Sequence, residues 1–242
     1  MTRAIITTSW DDGHPLDLRL ADMLADHGLR ATFYVPARCD RPTMSASELR
    51  RLAERFEIGA HTLDHVALTT LPPAEAQRQI THSKRWIEDA LGRPCAVFCP
   101  PLGGFGAVHI RMMREAGFAG YRTVELLSLD RPRHRAGIAE IPTSVQAYPH
   151  RLRAYFRNSL RRLAFGNMLR CFRLSGRTWL DALRDLVRQA QQNRGVVHLW
   201  GHSWEIDEIG LWNELREALR VLREAAADMS VMTNGQLVTG PP

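Results

Sequence analysis

Residues 9–14 read Ser-Trp-Asp-Asp-Gly-His and directly follow a short apolar run, residues 4–8. The run is rich in β-branched side chains, which favours a β-strand. Adjacent carboxylates such as Asp11 and Asp12 repel each other at the end of a buried strand, so a chain that places them there usually supplies a cation. We expect Asp12 to bind a metal ion and Asp11 to stay free as a base. The alternative is a loop in which these aspartates cap the helix that begins near Pro15.

A second polar stretch, residues 58–65, also follows an expected strand end and contains His61 and His65. If the chain forms a helical turn there, residues four apart lie on one face and both imidazoles can share an ion. Two imidazoles and one carboxylate form a common divalent-metal set for hydrolysis, with a position left for water. An ordinary surface histidine pair is the alternative. The acidic pair and the histidine pair together favour a metal site.

Asp-Asp-Gly after the first strand, followed later by His61-Thr-Leu-Asp-His65, resembles the polysaccharide deacetylases, also called carbohydrate esterase family 4. The resemblance runs in order over residues 5–238. It implies a distorted (β/α) barrel with about seven parallel strands, a divalent metal that is usually zinc, and hydrolysis of an N-acyl amide on a sugar. It also implies that Asp11 is the general base and that Asp12, His61 and His65 hold the metal. Cobalt, nickel and manganese stay open, since such a ligand set suits several ions.

Residues 98–103, Phe-Cys-Pro-Pro-Leu-Gly, match the family's third motif with one departure. The family usually has an arginine where Cys99 stands, and that arginine orients the catalytic aspartate. The resemblance implies that the backbone N–H of Leu102 helps to bind the oxyanion, with Pro101 on the substrate side, and a backbone donor survives a changed side chain. Arg122, at a predicted strand end, could supply the missing cation, although we favour an ordinary surface arginine there.

An apolar run over residues 196–200 predicts a buried strand, and His202 lies just past its end. The family's last motif is such a strand ending in a histidine, which acts as general acid for the leaving amine. The resemblance therefore implies this role for His202. Glu205 either orients His202 or caps the next helix. His198, inside the run, is expected to be a hydrogen-bonded core histidine.

The length of 242 residues suits one catalytic domain, residues 1–242. Hydrophobic content of 45% and charged content of 24% are typical of a soluble globular protein. Strands alternate with helices without internal repeats, which favours a parallel α/β architecture, either the barrel or a doubly wound open sheet. Both layouts place active sites after the carboxyl ends of the strands.

The chain start shows no charged segment followed by an apolar one, so we expect no secretion signal. No apolar run approaches the length of a membrane span. The expected location is therefore cytoplasmic. That location fits a soluble or lipid-linked sugar better than a cell-wall glycan.

Residues 141–180 contain no acidic side chain, and arginines alternate with apolar residues from Arg151 to Arg177. The pattern predicts a basic amphipathic helix or pair of helices. Such a surface could contact an anionic partner or a membrane face. The alternative is a solvated arginine face in an arginine-rich chain, whose single lysine is Lys84. We expect no nucleic acid partner, since no binding motif is present.

The sequence therefore predicts a metal-dependent hydrolase that removes an acetyl or formyl group from a sugar nitrogen. The substrate could be a nucleotide-linked, lipid-linked or cell-surface glycan precursor. One alternative is a metal-independent cyclic amide hydrolase of the same fold, which the intact set of Asp12, His61 and His65 argues against. Another is an inactive sugar-binding barrel, which the missing family arginine at Cys99 leaves open.

Overall fold

The computed structural model describes residues 3–150, 152–161, 165–171, 174 and 178–240. Its strands are short and lie between helices along most of the chain. The strands are β1 (Ile5–Asp11), β2 (Thr32–Val35), β3 (Glu57–Ala60), β4 (Val97–Phe98), β5 (Gly120–Arg122), β6 (Arg133–Arg135), β7 (Ile138–Ile141), β8 (Val145–Gln146), β9 (Val196–Gly201) and β10 (Ser230–Val231). The α-helices are α1 (Asp17–Asp26), α2 (Ala46–Ala53), α3 (Pro73–Leu91), α4 (Ala107–Glu115), α5 (Leu152–Arg161), α6 (Phe165–Cys171), α7 (Trp179–Asn193), α8 (Ser203–Glu208), α9 (Trp212–Ala225) and α10 (Asn234–Thr239).

The strands form one curled sheet in the order β6-β7-β5-β4-β3-β2-β1-β9-β8, and β10 pairs with the start of β1. All described pairings are parallel except that of β6 with β7. The continuous stretch of residues 138–146 pairs with β5 through β7 and with β9 through β8. This stretch thereby joins the two sides of the sheet into a ring. Counted as one strand position, β7 and β8 together with β1, β2, β3, β4, β5 and β9 give seven parallel positions around the ring. The predicted distorted barrel is confirmed.

The first strand pairs with β2 on one side and β9 on the other, and all seven of its residues are buried. Parallel strands covered on both faces favour continuous apolar, β-branched runs of this kind. Two helix boundaries also follow from local chemistry that the sequence shows. Ser45 and Glu48 form a capping box at the start of α2. Gly92, with a φ of 64°, ends α3 in the left-handed conformation.

Several elements differ from the expectations. The sequence predicts a helix from about Ile209 to Ala226, which is α9, but not the separate short helix α8, which ends before Gly210 with its φ of 72°. The strands β6, β7 and β8 and the helix α10 have no counterpart in the predicted pattern. The strand β6 has an Arg-His-Arg sequence with all three residues exposed, so hydrophobic periodicity does not mark it.

The basic segment contains the two helices α5 and α6, in agreement with the predicted pair. Arg157, Leu160 and Leu169 are exposed on them. Four of its arginines lie outside the described residues, namely Arg151, Arg162, Arg173 and Arg177. Within the described residues, no helix combines the length and the apolar character needed to cross a membrane.

Candidate metal centre

Polar side chains gather where the carboxyl ends of the parallel strands meet, at one end of the barrel. Each comes from the last residue of a strand or from the loop that follows it. These residues are Asp11 and Asp12 after β1, His61 after β3, Cys99 after β4, Arg122 at the end of β5 and His202 after β9. The predicted site residues from distant parts of the chain are thus brought together.

The side chains of Asp12, His61 and His65 converge on one point. Oδ1 of Asp12 lies 3.4 Å from Nε2 of His61 and 3.0 Å from Nε2 of His65. The expected helical turn between the two histidines is wrong. Thr62 and His65 have φ values of 58° and 49°, so the loop bends through left-handed conformations instead. The bend still places both imidazoles on the same carboxylate oxygen.

The orientation of His61 indicates what these atoms can bind. Its Nδ1 lies 2.7 Å from the carbonyl oxygen of Cys99, which can only accept a hydrogen bond. Nδ1 therefore carries the proton, and the lone pair on Nε2 faces Asp12 Oδ1, another acceptor. Among the described residues, that oxygen is buried and has no hydrogen bond. A cation between them satisfies both atoms.

The spacing of the ligand atoms also fits an ion. Ligands about 2.0–2.1 Å from a tetrahedral zinc are about 3.3 Å apart, close to the distances from Asp12 to the histidines. The other oxygen of Asp12 accepts a hydrogen bond of 2.9 Å from Nε1 of Trp204. Arg41 lies over the ring of Trp204 at 3.4 Å. These outer contacts hold the carboxylate in a fixed orientation, as in many metal sites.

The charge states agree with this assignment. Burial acts against ionisation of Asp12, but without a metal the hydrogen bonds that His61 and His65 donate when protonated, with the positive charge of His61, outweigh it and hold the pKa of Asp12 well below its ordinary value. A second group, Asp11, His61 and Cys99, also brings its ligand atoms within 4.8 Å of one another. Burial raises the pKa of the Cys99 thiol well above its usual range, which keeps it protonated. The set with Asp12 is therefore the better metal centre.

Arg122 is completely buried and donates from one nitrogen to both oxygens of Asp11. Its guanidinium also lies 4.6 Å from the centre of the Trp200 ring and 5.4 Å from that of Tyr34. Our interpretation of Arg122 as an ordinary surface arginine is wrong. The strands β4 and β5 are neighbours, so Arg122 brings a cation to Asp11 from the strand beside Cys99.

One ring nitrogen of His202 faces both aspartates, and the other is hydrogen-bonded to Glu205. Its Nδ1 lies 2.5 Å from Oε2 of Glu205, and its Nε2 lies 3.9 Å from Asp11 and from Asp12. Burial opposes protonation, but Glu205 and the two aspartates raise the pKa of His202 above its ordinary value. Gln146 of β8 donates a second hydrogen bond of 3.1 Å to Glu205. Gln146 was missed in the sequence, because β8 is only two residues long.

His198 lies in the core, as predicted. Its Nε2 is 2.8 Å from Oγ of Ser9, and its Nδ1 is 3.1 Å from the carbonyl oxygen of Pro142. Burial, with the nearby charge of Arg122, lowers the pKa of His198 to about 3. It is therefore a neutral structural histidine.

Leu102 lies in a single 3₁₀ turn, Pro101–Gly103, at the edge of the site. Its side chain is 81% exposed and its φ is 56°, so the turn is held in a left-handed conformation. Gly103 is required there, since a Cβ on it would lie 2.2 Å from Val124. Pro100 and Leu102 line the cavity described next, whereas Pro101 is buried beneath it.

A cavity of about 960 Å³ opens over these groups. This volume is at the upper end of the range for small-molecule sites, so it admits more than one sugar unit. The cavity wall also contains polar residues from the segment between β5 and α5 and from α5 itself, and of these the sequence patterns indicated only Arg157, in the basic segment. They are Glu125, Arg133, Arg135, Glu140, Gln146, His150, Arg157 and Asn158.

Comparison of the sequence with known proteins finds matches to polysaccharide deacetylases. The sequence model of the polysaccharide deacetylase family matches residues 1–121. Chitin deacetylase 1 of Cryptococcus neoformans is 34% identical over 98 residues, which cover 39% of this chain but only 20% of that protein. The match therefore spans a minor part of the longer relative.

Solved structures share the fold over almost the whole chain. A provisionally named polysaccharide deacetylase from Mycobacterium smegmatis superposes with a TM-score of 0.73 at 15% identity, covering 98% of this chain and 89% of the other. The chitin deacetylase of Colletotrichum lindemuthianum gives a TM-score of 0.63 at 16% identity, covering 100% and 90%. At these identities the similarity establishes the barrel fold.

Proposed function

The chain belongs to the polysaccharide deacetylase family, whose sequence model covers half of its length, and on that premise we propose that it is a metal-dependent hydrolase of N-acyl groups on sugars. The acyl group is acetyl or formyl. The convergence of Asp12, His61 and His65 beside the buried pair of Asp11 and Arg122 carries this proposal. The site combines a metal-binding set, a base, an acid and a sugar-sized cavity.

Asp12, His61 and His65 would hold a divalent ion, with zinc the simplest choice, which as a bound Lewis acid polarises the acyl carbonyl and favours ionisation of water. Asp11 accepts the proton of the attacking water. Arg122 holds both carboxylate oxygens of Asp11, which orients the carboxylate and balances its charge in the buried site. The base is thus positioned before substrate binds.

His202 donates the proton that the departing nitrogen needs. Its Nδ1–H is fixed by Glu205, so Nε2 is the atom that carries the mobile proton towards the cavity. The raised pKa of His202, to which Glu205 and the two aspartates contribute, favours the protonated form. The backbone N–H of Leu102 at the cavity edge is our candidate for stabilising the oxyanion.

The direct test measures acetate or formate released from N-acylated sugars. We expect turnover by the wild-type protein and a loss of at least about 100-fold in Asp11→Asn, because general base catalysis contributes about 10²–10⁴-fold. The variant should keep its metal, since Asp11 is not a ligand in this assignment. Asp22→Asn, an exposed change on α1, is the matched control. Full activity of Asp11→Asn would remove the base from the proposal.

An inactive sugar-binding barrel is the second candidate function, and its main support was the missing family arginine. The contact of Arg122 with Asp11 weakens that support. A sugar that binds without any acyl release, with metal present, would favour this candidate. A metal-independent cyclic amide hydrolase would instead remain active after chelation. The single domain, the cytoplasmic location and a membrane-surface contact through residues 151–177 stay predictions.

A further inference from the structure

The cavity over the candidate metal centre has a second set of charged side chains on its wall. They come from the loop after β5, from the β6–β7 hairpin and from α5. None of them belongs to the acid, base or metal-binding groups described above. The proposed chemistry at the acyl group therefore leaves this part of the cavity without a role.

The two carboxylates of this set are buried and face into the wall. Glu125 accepts hydrogen bonds of 2.6 Å from Arg133 and 2.7 Å from the amide of Asn167. Glu140 accepts one of 2.7 Å from the hydroxyl of Tyr121 and lies 3.4 Å from Arg135. Although both residues belong to the cavity wall, their negative charges are therefore balanced by Arg133 and Arg135.

The three guanidiniums are the exposed charges. The side chains of Arg133 and Arg135 are 46% and 67% exposed. Arg157 is exposed and has no ion-pair partner in the part of the chain that the structure describes. Three cations against two buried carboxylates leave one positive charge in excess on this wall. Asp130 lies 3.7 Å from Arg133 but is not among the residues that line the cavity.

The helix that bears Arg157 is fastened to the neighbouring loop by the next residue along the chain. Asn158 accepts a hydrogen bond of 2.9 Å from the backbone N–H of Leu126 and donates one of 2.9 Å to the carbonyl oxygen of Val124. Arg157 therefore projects from a fixed backbone, which lowers the entropy cost of binding a ligand.

We propose that Arg133, Arg135 and Arg157, the arginine wall, bind an anionic group of the substrate while its N-acyl group lies at the metal centre. The group is a carboxylate, as in a uronic acid, or a phosphate, on the same sugar or on an adjoining unit. Guanidinium groups bind both anions through paired, charge-assisted hydrogen bonds. That the wall binds an anion is independent of the proposed function. That this anion belongs to the N-acylated sugar substrate rests on the proposed function.

Binding to unreacted ligands tests the arginine wall without requiring turnover. Calorimetry compares a neutral N-acetylated disaccharide with two analogues, one carrying a uronic carboxylate and one a phosphate ester. We expect at least one anionic analogue to bind about tenfold or more tightly than the neutral one, with the advantage falling as salt rises. The analogue that binds better identifies the anion.

Charge reversal at Arg157 links that preference to the wall. Arg157→Glu should abolish the preference for the anion, measured as the ratio of the affinities for the anionic and the neutral disaccharide, while Arg157→Gln should give an intermediate ratio. Arg216→Gln, an exposed arginine change on α9, should have no effect. Equal affinities for neutral and anionic sugars, or a preference that persists in Arg157→Glu, would overturn the proposal.

Acyl release from the same sugars separates this inference from the proposed function. An anion preference that depends on Arg157, without acyl release from any sugar, would support the arginine wall and contradict the deacylase assignment. Acyl release from neutral and anionic sugars with equal kcat/KM and equal affinity would support the deacylase assignment and overturn the arginine wall.

Discussion

Asp11 and Arg122 form the contact that changes the interpretation of this chain most. The cysteine at position 99 suggests a site without its orienting cation, yet Arg122 reaches the same carboxylate from 111 positions further along. Both side chains are buried, so neither can lose its partner without leaving an uncompensated charge. We propose that Arg122 takes the place of the arginine that the family motif has at position 99.

Replacing Arg122 by leucine should therefore damage both stability and turnover. We expect the free energy of unfolding to fall by about 3–5 kcal/mol, as for other buried pairs that lose one partner, and acyl release to fall with it. Urea unfolding and acetate release are the measurements. Adding Cys99→Arg to this variant should restore part of both, because it returns a cation to the neighbouring strand. Unchanged unfolding in Arg122→Leu would show that the pair contributes little.

The pair of His202 and Glu205 predicts a particular pH dependence. In the proposed mechanism protonated His202 is the active form, and its raised pKa maintains that form to higher pH, so we expect activity to be lost as pH rises through this pKa. Glu205→Gln removes the anion that raises the pKa most. The basic limb of the kcat profile should therefore move to lower pH, with the acidic limb unchanged. A basic limb that stays in place would assign it to another group.

At the level of elements, the predictable parts are those with local signals. The β-branched run before Asp11, the capping box at Ser45 and the glycine after α3 each act over a few residues, so each is placed correctly by the local sequence pattern alone. The loop between His61 and His65 was not, because left-handed conformations at threonine and histidine have no sequence signature. The spacing of four residues correctly predicted that the two imidazoles lie together, but the helical turn from which this was argued is absent.

The carboxylate of Glu57 holds the start of α10 to the barrel, together with the hydrogen bonds that Asn234 makes to Thr7, Thr32 and Tyr34. The Glu57 carboxylate accepts hydrogen bonds of 2.9 Å from the hydroxyl of Thr233, 2.8 Å from the N–H of Gly235 and 2.5 Å from the hydroxyl of Thr32. A Cβ on Gly235 would lie 2.0 Å from this carboxylate, so only glycine allows the approach.

Glu57→Ala should destabilise the protein without affecting its chemistry. Three donors lose their acceptor, which predicts a loss of about 1–3 kcal/mol in the free energy of unfolding. Glu57 begins β3, whereas His61 follows its end, so kcat should be unchanged below the unfolding transition. Thermal unfolding and acyl release check both parts, with exposed Glu54→Ala as control. Loss of kcat in a folded variant would contradict this separation.

At the level of the whole molecule, the site depends on pairings that no local pattern contains. The family motifs identify Asp12, His61 and His202 because each follows an apolar run. Much of the remaining cavity wall comes from the segment between β5 and α5, where strands are two to four residues long and partly charged. The burial of Arg122, Glu125 and Glu140 could not be predicted from the sequence, since charged side chains ordinarily lie on the surface. It becomes visible only when the strands are assembled into the barrel.

The central claim is that one divalent ion binds between Asp12, His61 and His65. Equilibrium dialysis of the metal-free protein against zinc measures this most directly. We predict one zinc per wild-type chain. Loss of an outer partner alone costs about 10–100-fold in metal affinity, so Asp12→Ala and His61→Ala should weaken binding still further. No zinc bound by the folded wild-type protein, or one zinc bound equally well by both variants, would contradict the account.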